Sequence, residues 1–208
     1  MSKSQLHQDI FVLSQLGYKR NGFFVEFGAA DGVYLSNTYL LEKSFGWTGV
    51  LAEPARTWLA PLQMNRSARI ETRCVWKDSY SSLAFSEVDE SSDAGLSTLT
   101  AFSDTDRHRE KRSNSREYTV ETISLLDLLE EHNAPPVIDY LSIDTEGSEF
   151  EILREFDFSK YQFRVITCEH NYTPMREQIF ELLTEHGYRR VLRHISRWDD
   201  WYVLEIPE

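Results

Sequence analysis

Cysteine is scarce: the chain has two in 208 residues, Cys74 and Cys168, and both sit inside apolar runs, RCVW and VITCEH. That excludes a disulfide framework and a cysteine-rich metal site, and reads both as buried free thiols. Positive charge is also in short supply. Lys and Arg number 22 against 34 Asp and Glu, for a formal net charge of -12. A duplex-binding surface needs a basic face, so a nucleic-acid partner is disfavoured. The amino terminus, MSKSQLHQDIFVLSQLGYKRNG, holds no apolar stretch long enough for a signal peptide or a membrane span. The expectation is a cytoplasmic protein with no membrane insertion.

What the chain does have is enough apolar residue, 41%, to bury one substantial core, so residues 1–208 are read as a single domain. Strand candidates are FFVEF (23–27), GVLAE (49–53), RIETRCVW (69–76), VIDYLSI (137–143) and FRVITCE (163–169). Several are apolar without strict alternation, as strands covered on both faces are. Helix signals fall between them: the capping-box spacings of Ser124 with Asp127 and Ser148 with Glu151, and a last helix started by Thr173 and Pro174 and stopped by Gly187. Two late runs, YRRVLRHI and WYVLEI, read as a closing pair of strands. The alternation predicts a doubly wound α/β sheet, mostly parallel, whose ligands bind outside the carboxyl ends of the strands. One stretch breaks the rhythm: residues 86–117 are polar with little periodicity, and are expected to form a long lid or acceptor-binding loop.

The first strand ends in FFVEFGAADG (23–32), which places Glu26, Gly28 and Gly32 in the spacing E-x-G-x-x-x-G. The dinucleotide fingerprint is G-x-G-x-x-G, and Ala30 stands where its second glycine would be. No lysine follows in the P-loop pattern, so phosphate cradling is weakly supported. A cationic sulfonium ligand with an amino-acid tail asks instead for close backbone approach and for carboxylates. Glu53 ends the next strand, about 20 residues further on, where a carboxylate can accept from both ribose hydroxyls. It signals a ribose and leaves adenosylmethionine and NAD both open.

Taken together, SQLHQD, GFFVEFGAADGVYLSNTYLLEKSFGWTGVLAEP, GLSTL, IDYLSIDTEGSEFEIL and CEHNY resemble the FkbM family of S-adenosylmethionine-dependent methyltransferases. The resemblance implies a class I, Rossmann-like methyltransferase fold: a seven-stranded sheet with one antiparallel strand. It also implies that Glu26, Phe27, Gly28, Ala29, Asp31 and Gly32 surround the methionine part of the cofactor, with Ser36 and Asn37 close by. Glu53 would hold the ribose, Trp76 would pass beside the adenine, and Asp144 would face the sulfonium or the acceptor. Relatives methylate hydroxyls, often on sugars or glycosylated natural products, so a sugar acceptor, on a glycan or a glycosylated small molecule, is expected, and the chain reads either as a whole gene product or as a module of a larger glycan-assembly enzyme.

An aliphatic hydroxyl is a poor nucleophile, so a base or a metal should help to remove its proton. The sequence offers IDTEG after the fourth strand and CEHN after the fifth. In one mechanism His170 takes the proton, oriented by Glu169 or Asp144. In the other, Asp144, Glu169 and Asn171 hold Mg²⁺, which binds and acidifies the hydroxyl. Ser97 and Thr98 of GLSTL, with Glu146, Asn171 and Tyr172, are expected to meet the acceptor. Tyr34, Trp76, Phe102 and Tyr172 could stack on a sugar ring, and RHREKR (107–112) reads as a solvated loop face. Two other readings compete: an NAD-linked oxidoreductase on a similar sheet, and a non-catalytic adenosine-ligand-binding module.

Overall fold

Consecutive residues of the strand FFVEF go to opposite sides of a sheet: Phe24 joins one apolar cluster, Val25 and Phe27 the other. The computed structural model of the chain describes residues 1–88, 96–103, 110 and 115–205. In chain order its first half holds α1 (Gln8–Gln15), β1 (Phe23–Phe27), α2 (Tyr39–Phe45), β2 (Thr48–Ala52), α3 (Arg56–Asn65), β3 (Arg69–Glu71), β4 (Cys74–Trp76), β5 (Ser82–Val88) and β6 (Thr98–Leu99). A short 3-10 turn, Thr100–Phe102, precedes β7 (Ser115–Ser124), α4 (Leu125–Glu131), β8 (Val137–Ile143), α5 (Glu149–Arg154), β9 (Gln162–Glu169), α6 (Met175–Glu185), β10 (Tyr188–Val191) and β11 (Asp199–Leu204).

Seven strands form the main sheet, in the order β10-β11-β9-β8-β1-β2-β3. All run parallel except β11, which is antiparallel to both neighbours. This is the class I architecture expected from the sequence. The chain winds outward from β1 to β3, then returns to β8 beside β1, so the direction of winding reverses at β1 and β8. Ligands of open α/β sheets bind at such a point. Both faces are covered. Val25, Val50, Leu141 and Ile166 pack toward α4, α5 and α6, while Phe24, Leu51, Tyr140 and Trp201 pack toward α1, α2 and α3. A fully buried side chain of this size stabilises the fold by about 1.5–3 kcal/mol.

Two sequence expectations change here. RIETRCVW is not one strand: it bends after Glu71, and β4 leaves the main sheet to pair with β7 in a second sheet of order β4-β7-β5-β6. The polar stretch 86–117 is also less irregular than expected. Its ends belong to β5 and β7, an antiparallel pair in register from Ser82 opposite Glu121 to Val88 opposite Ser115. Phe85, Leu99 and Val120 form a third apolar cluster with Cys74 and Ala55, which seats this sheet beside the carboxyl end of β2. Of RHREKR only Glu110 lies among the described residues. Cys74 and Cys168 are buried free thiols, and among the described residues no helix is long and apolar enough to cross a membrane.

Candidate active site

The turn after β1 is fixed by backbone crowding. Gly28 has φ +70°, and a Cβ there would sit 2.0 Å from the Asp144 carbonyl oxygen, so only glycine lets β1 and β8 end side by side. Its N–H donates to the Ala52 carbonyl at 3.1 Å. Ala30 carries a left-handed φ of 45°, a conformation an alanine adopts only when its surroundings impose it. Glu53 supplies that constraint: its carboxylate accepts from Ala30 N and from Ala55 N, each at 2.8 Å. A cleft opens beneath, lined by Phe27, Gly28, Glu53, Val75, Leu99 and Asp144. Burial pushes the Glu53 carboxyl up to about 7, against the two amide donors, with Glu87 nearby adding to the rise. Each Glu53 oxygen keeps a second lone pair for a hydroxyl donor.

Glu26 is spent on the protein itself. Its oxygens accept from Thr38 Oγ1, Asn37 N and Ser36 Oγ, and the guanidinium of Arg66 stands 3.7 Å away. Arg66 is fully buried. It also donates to the Gly32 carbonyl, Ser36 Oγ and Thr38 Oγ1, and pairs with Glu42 at 2.8 Å. Together, Glu26 and Arg66 hold the loop 28–38 in shape, so Glu26 presents no free carboxylate to a ligand. Nothing in the sequence marks Arg66, 40 positions from the residue it neutralises. Asp31 is likewise committed: Oδ1 accepts from Val33 N and Tyr34 N at 2.8 and 2.7 Å. Asn37 differs. Its Nδ2 donates to Ser142 Oγ at 3.0 Å, while its buried Oδ1 has no donor.

A rim of carboxylates lies where β8, β9 and β11 meet. Asp144 follows β8, Glu169 ends β9, and Asp199 opens β11 directly opposite Glu169. One oxygen each of Asp144, Glu146 and Glu169 lies within 4.8 Å of the other two. Burial, then the charge of Asp199, pushes Asp144 up to about 7. Burial, then Asp144 and Glu146, pushes Glu169 well above the usual carboxylate range. Asp199 is held by Gln8, whose Nε2 donates at 2.7 Å from α1. Among the described residues, Arg176 and Arg190 both pair with Asp200, at 2.8 and 2.9 Å.

His170 does not face this rim as a free base. Its Nδ1 accepts from Tyr172 N at 2.9 Å, and its buried Nε2 has no hydrogen bond and lies 3.9 Å from Asp200. Burial holds the imidazole down at about 4. Neither nitrogen is positioned to take a proton from the cleft, which moves the base expectation to the carboxylates. Asn171 Nδ2 reaches Glu146 at 3.4 Å, so this amide turns its donor toward the cluster. Thr98, expected on the acceptor, is buried and donates to the carbonyls of Thr145 and Glu146 at 3.2 and 3.1 Å. Ser97 Oγ accepts from Val88 N at 3.0 Å and also lines the cleft. The GLSTL segment therefore clasps the IDTEG turn. Cys74 and Val75 face the cleft, while Trp76 packs edge-on against Phe102. Tyr34 and Tyr172 are exposed at 65% and 59%, which leaves both rings open to a partner.

Solved structures similar to this chain include a precorrin-6y C5,15-methyltransferase from Geobacter metallireducens GS-15. It is 13% identical, with a TM-score of 0.46 over 88% of this chain and 71% of that one. A SAM dependent methyltransferase from Aquifex aeolicus is 10% identical, with a TM-score of 0.41 over 95% and 89%. No curated protein matches the chain. The Methyltransferase FkbM domain matches residues 26–190, from the Glu26 that clamps the first loop to the Arg190 behind the acidic rim. With more than half of its length inside that match, the chain belongs to the FkbM methyltransferase family.

Proposed function

We propose that the protein transfers a methyl group from S-adenosylmethionine to a hydroxyl of a sugar, on a glycan or a glycosylated small molecule. The residues present suit such a cofactor. Glu53 offers unused lone pairs in the cleft for the ribose hydroxyls, and the donorless Asn37 Oδ1 offers an acceptor for an α-ammonium. Bound adenosylmethionine supplies a methyl group on a sulfonium. The protein's own part is to hold the acceptor oxygen in line with it and to take the hydroxyl proton. The oxygen–carbon bond forms as the sulfur–carbon bond breaks, its electron pair staying on sulfur, and the proton passes to the carboxylate rim.

The observation that carries this reading is the rim beside the cleft. Asp144 and Glu169 pair with no Lys or Arg among the described residues, and the burial that, with the charge of Asp199, lifts Asp144 to about 7 suits a general base near neutral pH. Exposed Tyr172 follows this cluster in sequence and gives a flat apolar face for a sugar ring. The nicotinamide-linked alternative falls with the family assignment. The test is turnover to S-adenosylhomocysteine with a panel of defined oligosaccharides. Wild type is expected to turn over at least one of them, and Asp144→Asn to lose about 10²–10⁴-fold in kcat with cofactor affinity kept. Methylation of amines but of no polyol would sink the proposal.

A further inference from the structure

We infer that His170 is a positioning residue for the acceptor: its imidazole fixes the pose of Tyr172, the ring against which the acceptor sugar stacks. The acceptor's part in this rests on the proposed methyl transfer. The hold of His170 on Tyr172 does not.

After β9 the backbone turns sharply, and Asn171 and Tyr172 both take a left-handed φ, 44° and 59°. Asparagine visits that region with little penalty, whereas a bulky tyrosine stays there only when its surroundings impose it. The backbone on either side is pinned. The Trp198 carbonyl, just before β11, accepts from His170 N at 2.8 Å and from Asn171 N at 3.2 Å. Thr173 N and Oγ1 donate to the His170 carbonyl at 2.8 and 2.9 Å. The Tyr172 amide lies between these contacts and donates to His170 Nδ1 at 2.9 Å. An accepting Nδ1 puts the ring proton on Nε2, so a single tautomer does this work.

The imidazole is a firm anchor, since His170 is only 4% exposed. The two rings stand nearly perpendicular, 76° apart with centroids 5.2 Å from one another. Such a contact covers at most one face of the tyrosine, which remains an exposed residue. The same turn reaches the acidic rim through Asn171, whose Nδ2 donates to Glu146 at 3.4 Å. Tyr172 is therefore displayed next to the carboxylates proposed to take the hydroxyl proton, at an angle that the histidine sets.

The test measures kcat and KM with the oligosaccharide that wild type turns over, beside hydrogen exchange at the Tyr172 amide in the full chain. His170→Leu removes the acceptor atom, and His170→Asn returns one through its Oδ1. His170→Leu is expected to raise the acceptor KM about three- to tenfold, the worth of one ring contact, with kcat and adenosylmethionine affinity within about twofold of wild type. Tyr172→Ala should do the same, and the double variant should be no worse than either single one. His170→Asn should recover most of the loss. Exchange at Tyr172 should be about tenfold faster in His170→Leu and near wild type in His170→Asn. A thermal melt checks folding. Should His170→Leu melt early, His170→Gln takes its place, because its carbonyl lies one bond too far out to meet the amide. An unchanged KM, losses that add in the double variant, or a fall in kcat as large as the rise in KM overturns the inference. If wild type methylates no sugar, the acceptor role falls together with the proposed function, and exchange at Tyr172 alone then decides whether His170 holds the turn.

Discussion

Glu53 braces the turn after β1 and lines the cleft with one side chain, so the proposed cofactor role and stability can be tested together. Its carboxyl is lifted to about 7 mainly because it is buried in the cleft wall. Only the ionised form is a full acceptor for two hydroxyls, so adenosylmethionine affinity should strengthen as pH rises through about 7. In Glu53→Gln it should be flat, as calorimetry across that range would show. Glu53→Ala also frees the Ala30 amide and the left-handed turn it steadies. It should weaken cofactor binding about ten- to hundredfold, the worth of one or two hydrogen bonds to a charged group. The position of Glu53 in the cleft wall was legible because a carboxylate at the end of a second strand has a recognisable spacing. His170 was misleading for a related reason: sequence shows its acidic company but not the Tyr172 amide that occupies Nδ1.

At the scale of elements, the four central strands β1, β2, β8 and β9 were readable because burial on both faces leaves continuous apolar runs. The hairpin of β5 and β7 was not. One face of β7 meets solvent, so SREYTVETIS reads as polar chain until Val120 and Ile123 are seen to be buried. The loop 28–38 hid its organiser altogether, since Arg66 follows α3 and reaches back across space to Glu26. Arg66→Met should leave that buried carboxylate without its counter-charge and cost about 3–5 kcal/mol, measured by urea unfolding. Replacing the pair together, Arg66→Met with Glu26→Gln, should recover part of that loss. Gly28→Ala tests the same loop from its other end. With the Asp144 carbonyl in the way, β1 and β8 must move apart, and both stability and cofactor binding should fall.

For the whole molecule, the accumulation of buried acid sets the pH response. Glu53 and Asp199 are both raised to about 7, chiefly by burial. Each holds its proton more tightly folded than unfolded, so folding takes up protons between about pH 4.5 and 7 and stability declines as pH rises through that window. Opposing this, Glu71 and Asp200 are held below the usual carboxylate range by arginine partners, Arg73 for Glu71 and Arg176 and Arg190 for Asp200. Their contribution is lost only in stronger acid. Urea midpoints should therefore be higher near pH 5.5 than near pH 8, with the difference reduced in Asp199→Asn. A midpoint that climbs steadily to pH 8 would contradict the burial that raises these groups.

The direction of β11 decides which of its ends serves the acidic rim. β11 runs against its neighbours, so its beginning, not its end, delivers Asp199 to the rim opposite Glu169. It also slots between β9 and β10, leaving β10 no place in the sheet until it arrives. The acidic corner is therefore assembled from strand ends far apart in the chain, and Asp199 reaches it only when β11 is seated between β9 and β10.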